Sequence, residues 1–465
     1  MFVYNSQNRR KEELIPVKAG EVGIYSCGPT VYDFFHIGNA RPFIIFDVLR
    51  RYLEYKGYKV TLVQNFTDID DKMIRRANLE GISVQALGDR FIEEYYRDAD
   101  ALGIRRATVH PRATEHMPQI IQLIETLIEK GLAYEMNGSV YFDTLAFPDY
   151  GKLSGQNMDD LDAGARVDVD DEKKDAADFA LWKAEKPGEP CWDSPWGKGR
   201  PGWHIECSAM SMAYLGPTLD IHSGGRDLLF PHHENEIAQS QGATGKPYVK
   251  YWMHNGFLNI DNEKMSKSQG NFFTVRDILK EYEAEDIRMF MLSAQYRSPL
   301  NFSRDMIVQA HASLMRLYAA RDKMEFLLRR AQDKAFGADE NAFIEQIDKC
   351  AQRFDAAMDD DLNTAEALGA LFDLVYTVNT TLNADSARGA VTHAQQTLDK
   401  LTNVLGLLMR KSQGLPDEVL ALAKARIQAR QEKAWKLSDE LRQQIAQFGY
   451  TVEDTPAGQK ISKSL

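Results

Sequence analysis

The stretch EVGIYSCGPTVYDFFHIGNARPFIIFDVLRRYLEYKGYKVTLVQNFTD, residues 21–68, contains two short apolar segments on either side of a longer amphipathic one. EVGIYSC predicts a strand, RPFIIFDVLRRYLEYKG predicts a helix that ends at Gly57, and YKVTLVQNFTD predicts a strand that runs into an acidic loop. Strand, helix and strand at this spacing form a βαβ unit. The sequence therefore predicts an α/β fold with a parallel sheet covered by helices.

The pattern changes at about Arg112. An amphipathic helix (MPQIIQLIETLIEKG), a hairpin with Asn-Gly at its turn (AYEMNGSVYFD) and an acidic, poorly periodic stretch follow one another before a buried strand resumes near Thr218. We therefore predict that residues 112–202 are an insertion into a sheet domain of residues 1–300.

The strand patterns end near Ser303, where long segments with apolar residues every three or four positions begin. These segments predict a helical bundle over residues 301–412. Pro416 starts one more helix, and the turn-rich piece FGYTVEDTPAGQKI predicts a small hairpin. We assign residues 413–465 to a small terminal domain.

The composition excludes several classes of protein. With 465 residues, 44% of them hydrophobic, the chain is globular material for about three domains. A net charge of −12 argues against a non-specific nucleic-acid coat. The four cysteines are too few and too scattered for a disulfide framework, and no apolar run reaches the length of a membrane span or resembles a signal peptide. We expect a cytoplasmic protein.

A pair of metal-binding residue types stands in FPHHENEIAQS, residues 230–240. His232 and Glu236 are four positions apart and can converge on one face of a helix, whereas His233 would point roughly 100° away. Zinc takes about four ligands, and Cys27 and Cys207 are available as partners. The alternative is a pair of buried cysteines beside a helix whose first turn carries a carboxylate.

Two further motifs predict a nucleotide site. HIGN, residues 36–39, lies where the first strand gives way to a helix, whose N-terminus offers unpaired N–H groups to phosphate. KMSKS carries Lys264 and Lys267, which can stabilise charge on a triphosphate as it reacts. Alone, each motif is equally typical of a turn or a solvated loop. Their order across a sheet domain favours ATP binding.

HIGN and KMSKS together resemble the signature pair of class I aminoacyl-tRNA synthetases. The stretches YSCGPTVYD, NFTDIDDKMIRRA, GKLSG, PGWHIECSAM, IHSGGRDLLFPHHENEIAQS and DDDLNTAEALGALF resemble cysteinyl-tRNA synthetases. The resemblance runs from the N-terminus through most of the helical region. It implies a Rossmann-like catalytic domain with an inserted connective domain, followed by a helical bundle that binds tRNA and a small domain that recognises the anticodon.

The resemblance also implies roles for particular residues. One zinc ion per chain would be held by Cys27, Cys207, His232 and Glu236. The ATP-binding and catalytic residues would be His36, Gly38, Asn39, Lys264 and Lys267. Asparagine at the last position of HIGN is usual in the cysteine-specific family. The cysteine pocket would include Thr67, Trp203 and His222, each of which has a purely structural alternative. Cys191 and Cys350 would be ordinary thiols.

The implied reaction activates L-cysteine with ATP and Mg²⁺ to cysteinyl-adenylate and pyrophosphate, then transfers cysteine to the 3′-terminal adenosine of tRNA(Cys). The substrate thiolate would bind the zinc, which would separate cysteine from serine better than an apolar pocket can. We therefore expect no hydrolytic editing domain. A monomer is the expectation for this family.

The C-terminal segment carries the residue types that read single-stranded bases. Arginine and tryptophan can stack on splayed bases, and carboxylates can accept hydrogen bonds from base edges. By similarity to the family, the anticodon candidates are Arg430, Trp435, Asp439 and Asp454.

Two other functions fit parts of the sequence. A mycothiol-type ligase resembles the same catalytic core but joins cysteine to an amino sugar, and the helical bundle with the Trp435 segment favours tRNA over it. A non-catalytic tRNA-binding relative would lack a working site, and an intact KMSKS with four zinc ligands argues against it.

Overall fold

The computed structural model describes residues 1–156, 173–261, 263–264, 273–410, 416–455 and 458–463. The chain divides into two compact units. The first comprises Met1–Ala310, Ala356–Ala365 and Val404–Gly406, and the second comprises His311–Asp355, Glu366–Asn403 and Leu407–Leu465.

The described strands are β1 (Phe2–Asn5), β2 (Arg10–Glu13), β3 (Glu21–Ser26), β4 (Lys59–Gln64), β5 (Ala133–Met136), β6 (Ser139–Phe142), β7 (Phe179–Ala184), β8 (Gly199–Pro201), β9 (Leu219–Gly225), β10 (Val249–Asn255), β11 (Leu258–Ile260), β12 (Glu263–Lys264), β13 (Leu300–Phe302), β14 (Tyr450–Thr455) and β15 (Gly458–Lys463).

The described α-helices are α1 (Ile37–Tyr55), α2 (Asp71–Glu80), α3 (Val84–Ala101), α4 (Met117–Glu129), α5 (Trp203–Leu215), α6 (Glu234–Thr244), α7 (Val275–Ile278), α8 (Ala284–Leu292), α9 (Arg304–Leu328), α10 (Ala338–Asp359), α11 (Thr364–Thr381), α12 (Arg388–Leu405), α13 (Asp417–Gln431) and α14 (Trp435–Gln447). None of the helices in these described ranges combines the length and apolarity needed to cross a membrane.

A four-stranded parallel sheet forms the centre of the first unit, in the order β10-β9-β3-β4. Its strands are largely buried, and α1 buries an apolar face that includes Ile44, Ile45 and Leu49. The predicted βαβ unit is therefore confirmed as β3-α1-β4. Because the strands are parallel, their carboxyl ends meet at one edge, where Cys27, Asn65 and Gly225 follow or end their strands.

The segment between the second and third parallel strands in chain order carries its own antiparallel sheet, β5-β6-β7-β8. The β5–β6 hairpin is the one that the Asn-Gly pair predicts, with Asn137 at φ +54° and Gly138 at φ +81°. Positive φ at both central residues matches the twist of a two-residue hairpin turn. The sequence analysis missed an earlier hairpin, β1–β2, which precedes β3.

In the second unit, the terminal segment packs α13, α14 and the β14–β15 hairpin around a small core of Val419, Ile445 and Val452. The hairpin predicted from FGYTVEDTPAGQKI is thereby confirmed.

Within the first unit, an ion pair whose two side chains are both buried connects α1 to α8. Arg288 on α8 donates to Asp47 on α1 and to the carbonyl of Leu405, while Arg51 donates to the same carboxylate. Although burial alone would raise the pKa of Asp47, the charges of Arg288 and Arg51 hold it below its ordinary value. The carboxylate is therefore ionised in the folded protein at neutral pH.

We expect Asp47→Asn to lower the free energy of unfolding of the catalytic unit by about 3–5 kcal/mol, because Arg288 stays buried without its counter-charge. The native carboxylate, with its lowered pKa, stabilises the fold above the ordinary carboxyl value of about 3.9 and loses this effect as the pH falls through the folded pKa. When the free energy of unfolding is measured in urea between pH 7 and pH 3, it should therefore fall less steeply with decreasing pH in the variant than in the native protein. Asp100→Asn, which breaks an exposed pair with Arg106, is the control. An equal loss of unfolding free energy in the two variants would contradict the stabilising role of the buried Asp47–Arg288 pair.

Candidate active site

Four predicted metal ligands converge at the carboxyl edge of the parallel sheet. Cys27 follows β3, Cys207 lies on α5, and His232 and Glu236 flank the start of α6. One ligand atom from each lies within 4.8 Å of the others, and all four belong to a buried cluster. Two thiols, an imidazole and a carboxylate are a donor set that tetrahedral zinc accepts.

The chain before α6 does not follow a regular helix. Phe230 has extended backbone angles, φ −136° and ψ +134°, and residues Leu229–His233 form a wider π-type turn. The expectation that His233 points away from the cluster is wrong, since its Nε2 atom lies 3.3 Å from Cys27 Sγ. The 100° rotation per residue holds only within a regular helix.

A second ligand set therefore overlaps the first. Cys27, His222, His233 and Glu236 also bring one ligand atom each within 4.8 Å of the others. The second nitrogen of His233, Nδ1, lies 2.8 Å from His254 Nε2. The set with Cys207 and His232 offers two thiols instead of one and is the better match for a thiophilic metal.

The carboxylate of Glu236 is held from two sides. Its Oε2 accepts hydrogen bonds from His222 Nε2 at 2.9 Å and from the Tyr248 hydroxyl at 3.0 Å, and its Oε1 lies 3.2 Å from His232 Nε2. Tyr248 in turn contacts the Ser211 hydroxyl. These contacts leave Oε1 facing the cluster, as expected for a ligand whose orientation is fixed by outer hydrogen bonds.

Two of the imidazoles near this carboxylate carry no positive charge at neutral pH. Glu236 is completely buried. Burial lowers the pKa of His232 and of His233 well below the ordinary value, so both imidazoles are neutral at pH 7. Burial also raises the pKa of the Cys27 thiol. A cation at the cluster would compensate the carboxylate and stabilise the thiolates, so the residues present fit a metal ion.

The three predicted pocket residues surround the cluster in different ways. Trp203 stacks on His232 with ring centroids 4.4 Å apart and keeps 41% of its surface exposed, so its ring is accessible beside the cluster. His222 is buried and holds Glu236. Thr67 is buried beyond Asn65, whose Nδ2 lies 3.4 Å from the threonine hydroxyl.

Sequence reasoning assigned no role to several polar residues at this cluster. Asn65 accepts a hydrogen bond from the Gly28 amide and lies 3.9 Å from Cys207 Sγ. The Nδ1 atom of His204 lies 2.8 Å from that of His232. Asn65 and His204 stand in the quoted NFTD and PGWHIECSAM stretches, but Tyr248 and His254 carry no signal in the sequence that separates them from ordinary buried residues.

The HIGN residues form the N-terminus of α1 beside the same sheet edge. His36 is the N-cap, and the Asn39 side chain accepts from the His36 amide in a reciprocal capping box. Asn39 thus has a structural role that the sequence analysis did not anticipate. Lys264 lies on β12, whose backbone pairs with β11 at Asn259, whereas Lys267 lies outside the described residues.

Comparisons with known proteins agree with this geometry. Residues 13–312 match the family of tRNA synthetases class I (C) catalytic domain, and residues 353–409 match the DALR domain. The cysteine–tRNA ligase of Caldicellulosiruptor saccharolyticus is 55% identical over 467 aligned residues, which cover 100% of each chain. This chain belongs to the cysteine–tRNA ligase family.

Solved structures of other synthetases share its fold. Methionyl-tRNA synthetase from Mycobacterium tuberculosis, in complex with methionyl-adenylate, superimposes with a TM-score of 0.61 at 15% identity over 83% of this chain and 89% of that one. The agnB2 LeuRS from Agrobacterium radiobacter K84, in a ternary complex with tRNA and LeuAMS, gives 0.60 at 11% identity over 85% of each chain. The predicted fold class is confirmed.

The terminal segment of this cysteine–tRNA ligase family member, residues 412–461, matches the cysteinyl-tRNA ligase anticodon binding domain. Trp435 is 56% exposed, and the Arg430 guanidinium lies 5.6 Å from its ring centroid. Asp439 lies exposed on α14. These three anticodon candidates are accessible.

The fourth anticodon candidate, Asp454, has a prominent internal partner. The buried Arg426 donates to both its carboxylate oxygens at 2.8 Å, and Arg430 reaches Oδ2 at 3.1 Å. The hydrogen bond from Arg426, with the charges of both arginines, holds the pKa of Asp454 below its ordinary value. Asp454 therefore anchors Arg430 beside Trp435, a role that the sequence did not reveal.

We expect Cys207→Ser to lower the affinity for the bound metal by at least about 100-fold, because it replaces a thiolate with a weaker ligand. Elemental analysis after dialysis should find about one equivalent in the native protein and far less in the variant. Cys191→Ser is the matched control, since Cys191 contacts Glu185 away from the cluster. Retention of full metal content by Cys207→Ser would exclude this ligand set.

Proposed function

We propose that this enzyme activates L-cysteine with ATP to cysteinyl-adenylate and pyrophosphate, then transfers cysteine to the 3′-terminal adenosine of tRNA(Cys). The observation that carries the proposal is the convergence of Cys27, Cys207, His232 and Glu236 at the sheet edge that also bears the HIGN helix. A sulfur-binding centre beside a nucleotide site suits the activation of a thiol amino acid. The match of residues 412–461 supports tRNA rather than an amino sugar as the acceptor.

The four-residue cluster would hold one zinc ion. When bound, zinc supplies a Lewis-acidic centre that favours a thiolate over a hydroxyl group. His222 and Tyr248 fix the carboxylate of Glu236, and Trp203 packs over His232. The protein would thereby present a site in which serine finds no ligand chemistry equivalent to that of cysteine.

The nucleotide would bind at the N-terminus of α1. The helix dipole at this terminus attracts phosphate oxygens, and the missing side chain of Gly38 leaves room for close approach. His36 and Asn39 stabilise this terminus, while Lys264 and Lys267 would contribute positive charge to the triphosphate together with Mg²⁺.

The activation step needs positioning more than side-chain chemistry. The cysteine carboxylate attacks the α-phosphorus in line and pyrophosphate leaves, so charge develops on phosphate oxygens that the lysines and the helix N-terminus stabilise. The thiols of Cys27 and Cys207 act as metal ligands and not as nucleophiles. Thr67, Trp203 and His222 would bound the space in which the amino acid is held.

Two properties of the whole protein belong to the same proposal. We infer a monomer in the cytoplasm, in which none of the four cysteines forms a disulfide. We also infer that selectivity against serine arises at activation, without a separate hydrolytic site.

Cysteine-dependent exchange of pyrophosphate into ATP tests the first step directly. We expect cysteine to exceed serine in kcat/KM by more than about 10⁴-fold, well beyond the 10- to 200-fold that an apolar pocket provides. Removal of zinc with a chelator should abolish the exchange with cysteine, and added zinc should restore it. The proposal fails if serine supports comparable exchange or if metal-free protein keeps its selectivity.

The tRNA step predicts a separable effect at the terminal domain. Trp435→Ala should raise KM for tRNA in aminoacylation by about 5- to 150-fold, because one base–aromatic stack contributes about 1–3 kcal/mol. Pyrophosphate exchange should stay unchanged. Leu437→Ala removes another exposed apolar side chain from α14 and is the control. An unchanged KM for tRNA in Trp435→Ala would show that Trp435 does not contribute to anticodon binding.

A further inference from the structure

We propose that Arg41 is a positioning residue that ties the HIGN helix to the strand leading to Lys264, and so sets the geometry of the ATP site. The inference rests on the proposed function, since it concerns how the two nucleotide motifs are held together. Arg41 lies in the first turns of α1 and is completely buried.

The guanidinium of Arg41 is bound by backbone carbonyls from two distant turns. Its Nη1 donates to the carbonyls of Gly256 and Phe257, both at 2.8 Å. Its Nη2 donates to the carbonyl of Ser298 at 2.6 Å and to that of Gln295 at 3.5 Å. Burial lowers the pKa of Arg41 to about 10, which still leaves the side chain charged at neutral pH.

The position of these carbonyls gives Arg41 its role. Gly256 and Phe257 immediately precede β11, and β11 pairs with β12 in a register that sets Asn259 opposite Lys264. The planar guanidinium of Arg41 on α1 therefore holds the start of the β11–β12 hairpin, which carries Lys264. A buried guanidinium is costly to desolvate, and the carbonyls of both turns supply hydrogen bonds that offset this cost.

The chain that follows the KMSKS motif returns to the same helix terminus. The Ile37 amide donates to the carbonyl of Phe273 at 3.1 Å, and the Val275 amide donates to that of Phe35 at 3.2 Å. His36 and Thr274 form an antiparallel bridge. Backbone hydrogen bonds thus attach the HIGN residues to the chain that follows the KMSKS motif. Arg41 attaches the same helix to the chain that precedes the motif.

The turn at Gly256 packs closely against the second turn that Arg41 contacts, at Ser298. A Cβ atom added to Gly256 would lie 2.6 Å from the carbonyls of Arg297 and Ser298. The Gly256 amide also donates to the carbonyl of Tyr296. Backbone therefore packs directly against backbone here, and carbonyls of both turns face a single guanidinium.

The test uses Arg41→Lys, which keeps the charge but cannot span carbonyls from both turns. Arg288→Lys is the matched control, because Arg288 is equally buried and also holds α1, but through Asp47. We expect Arg41→Lys to lower kcat/KM for ATP in pyrophosphate exchange by about 10- to 100-fold. The KM for cysteine and the zinc content should stay within about twofold of the native values. Arg288→Lys should lower the thermal midpoint without changing the ATP parameters.

A second pair of variants applies if Arg41→Lys does not fold. Gly256→Ala displaces the same turn because its Cβ would meet the carbonyls of Arg297 and Ser298, and Gly242→Ala, whose Cβ would meet Leu132 and Leu127 side chains, is its control. Only Gly256→Ala should impair ATP kinetics selectively. The inference is overturned if a folded Arg41 or Gly256 variant follows its control, or if ATP and cysteine parameters change in proportion. Absence of cysteine-dependent exchange in the native enzyme would instead overturn the proposed function.

Discussion

The active site depends on the burial of one carboxylate. Glu236 is removed from water between His222, Tyr248 and His232, and the imidazoles of His232 and His233 are neutral because burial lowers their pKa. A buried carboxylate needs a cation, and the two thiols beside it select a thiophilic metal. In the proposed function this cation would bind where Cys27, α5 and α6 converge at this edge of the sheet. Its preference for sulfur over oxygen would then be the source of amino-acid selectivity.

One connection in the chain links both halves of the chemistry. The segment between β3 and α1 begins with Cys27, a proposed metal ligand, and ends with His36, the N-cap of the helix at which we propose that ATP binds. In the proposed function, a short stretch of backbone attached to a parallel sheet would therefore set the positions of the amino acid and ATP relative to each other. Arg41, one turn further on, extends this control to the strand that leads to Lys264. Positioning of this kind accounts for activation without a side-chain nucleophile.

Local patterns in the sequence predicted local structure well. Apolar periodicity gave β3-α1-β4, and Asn137-Gly138 gave the β5–β6 hairpin, because each depends on neighbouring residues. The four metal ligands come from segments far apart in the chain, so only the family resemblance grouped them. The contact of His233 was mispredicted because an irregular turn precedes α6. The partners of Arg41 and the anchoring of Asp454 by Arg426 depend on tertiary packing, which no short motif encodes.

The central claim is that the substrate is recognised by its sulfur at the metal. X-ray absorption at the zinc edge measures the number of sulfur atoms around the ion. With the enzyme alone, two sulfur neighbours are expected, from Cys27 and Cys207, together with nitrogen and oxygen from His232 and Glu236. Added cysteine should raise the sulfur count to three, and added serine should leave it at two. An unchanged count with saturating cysteine would contradict the account.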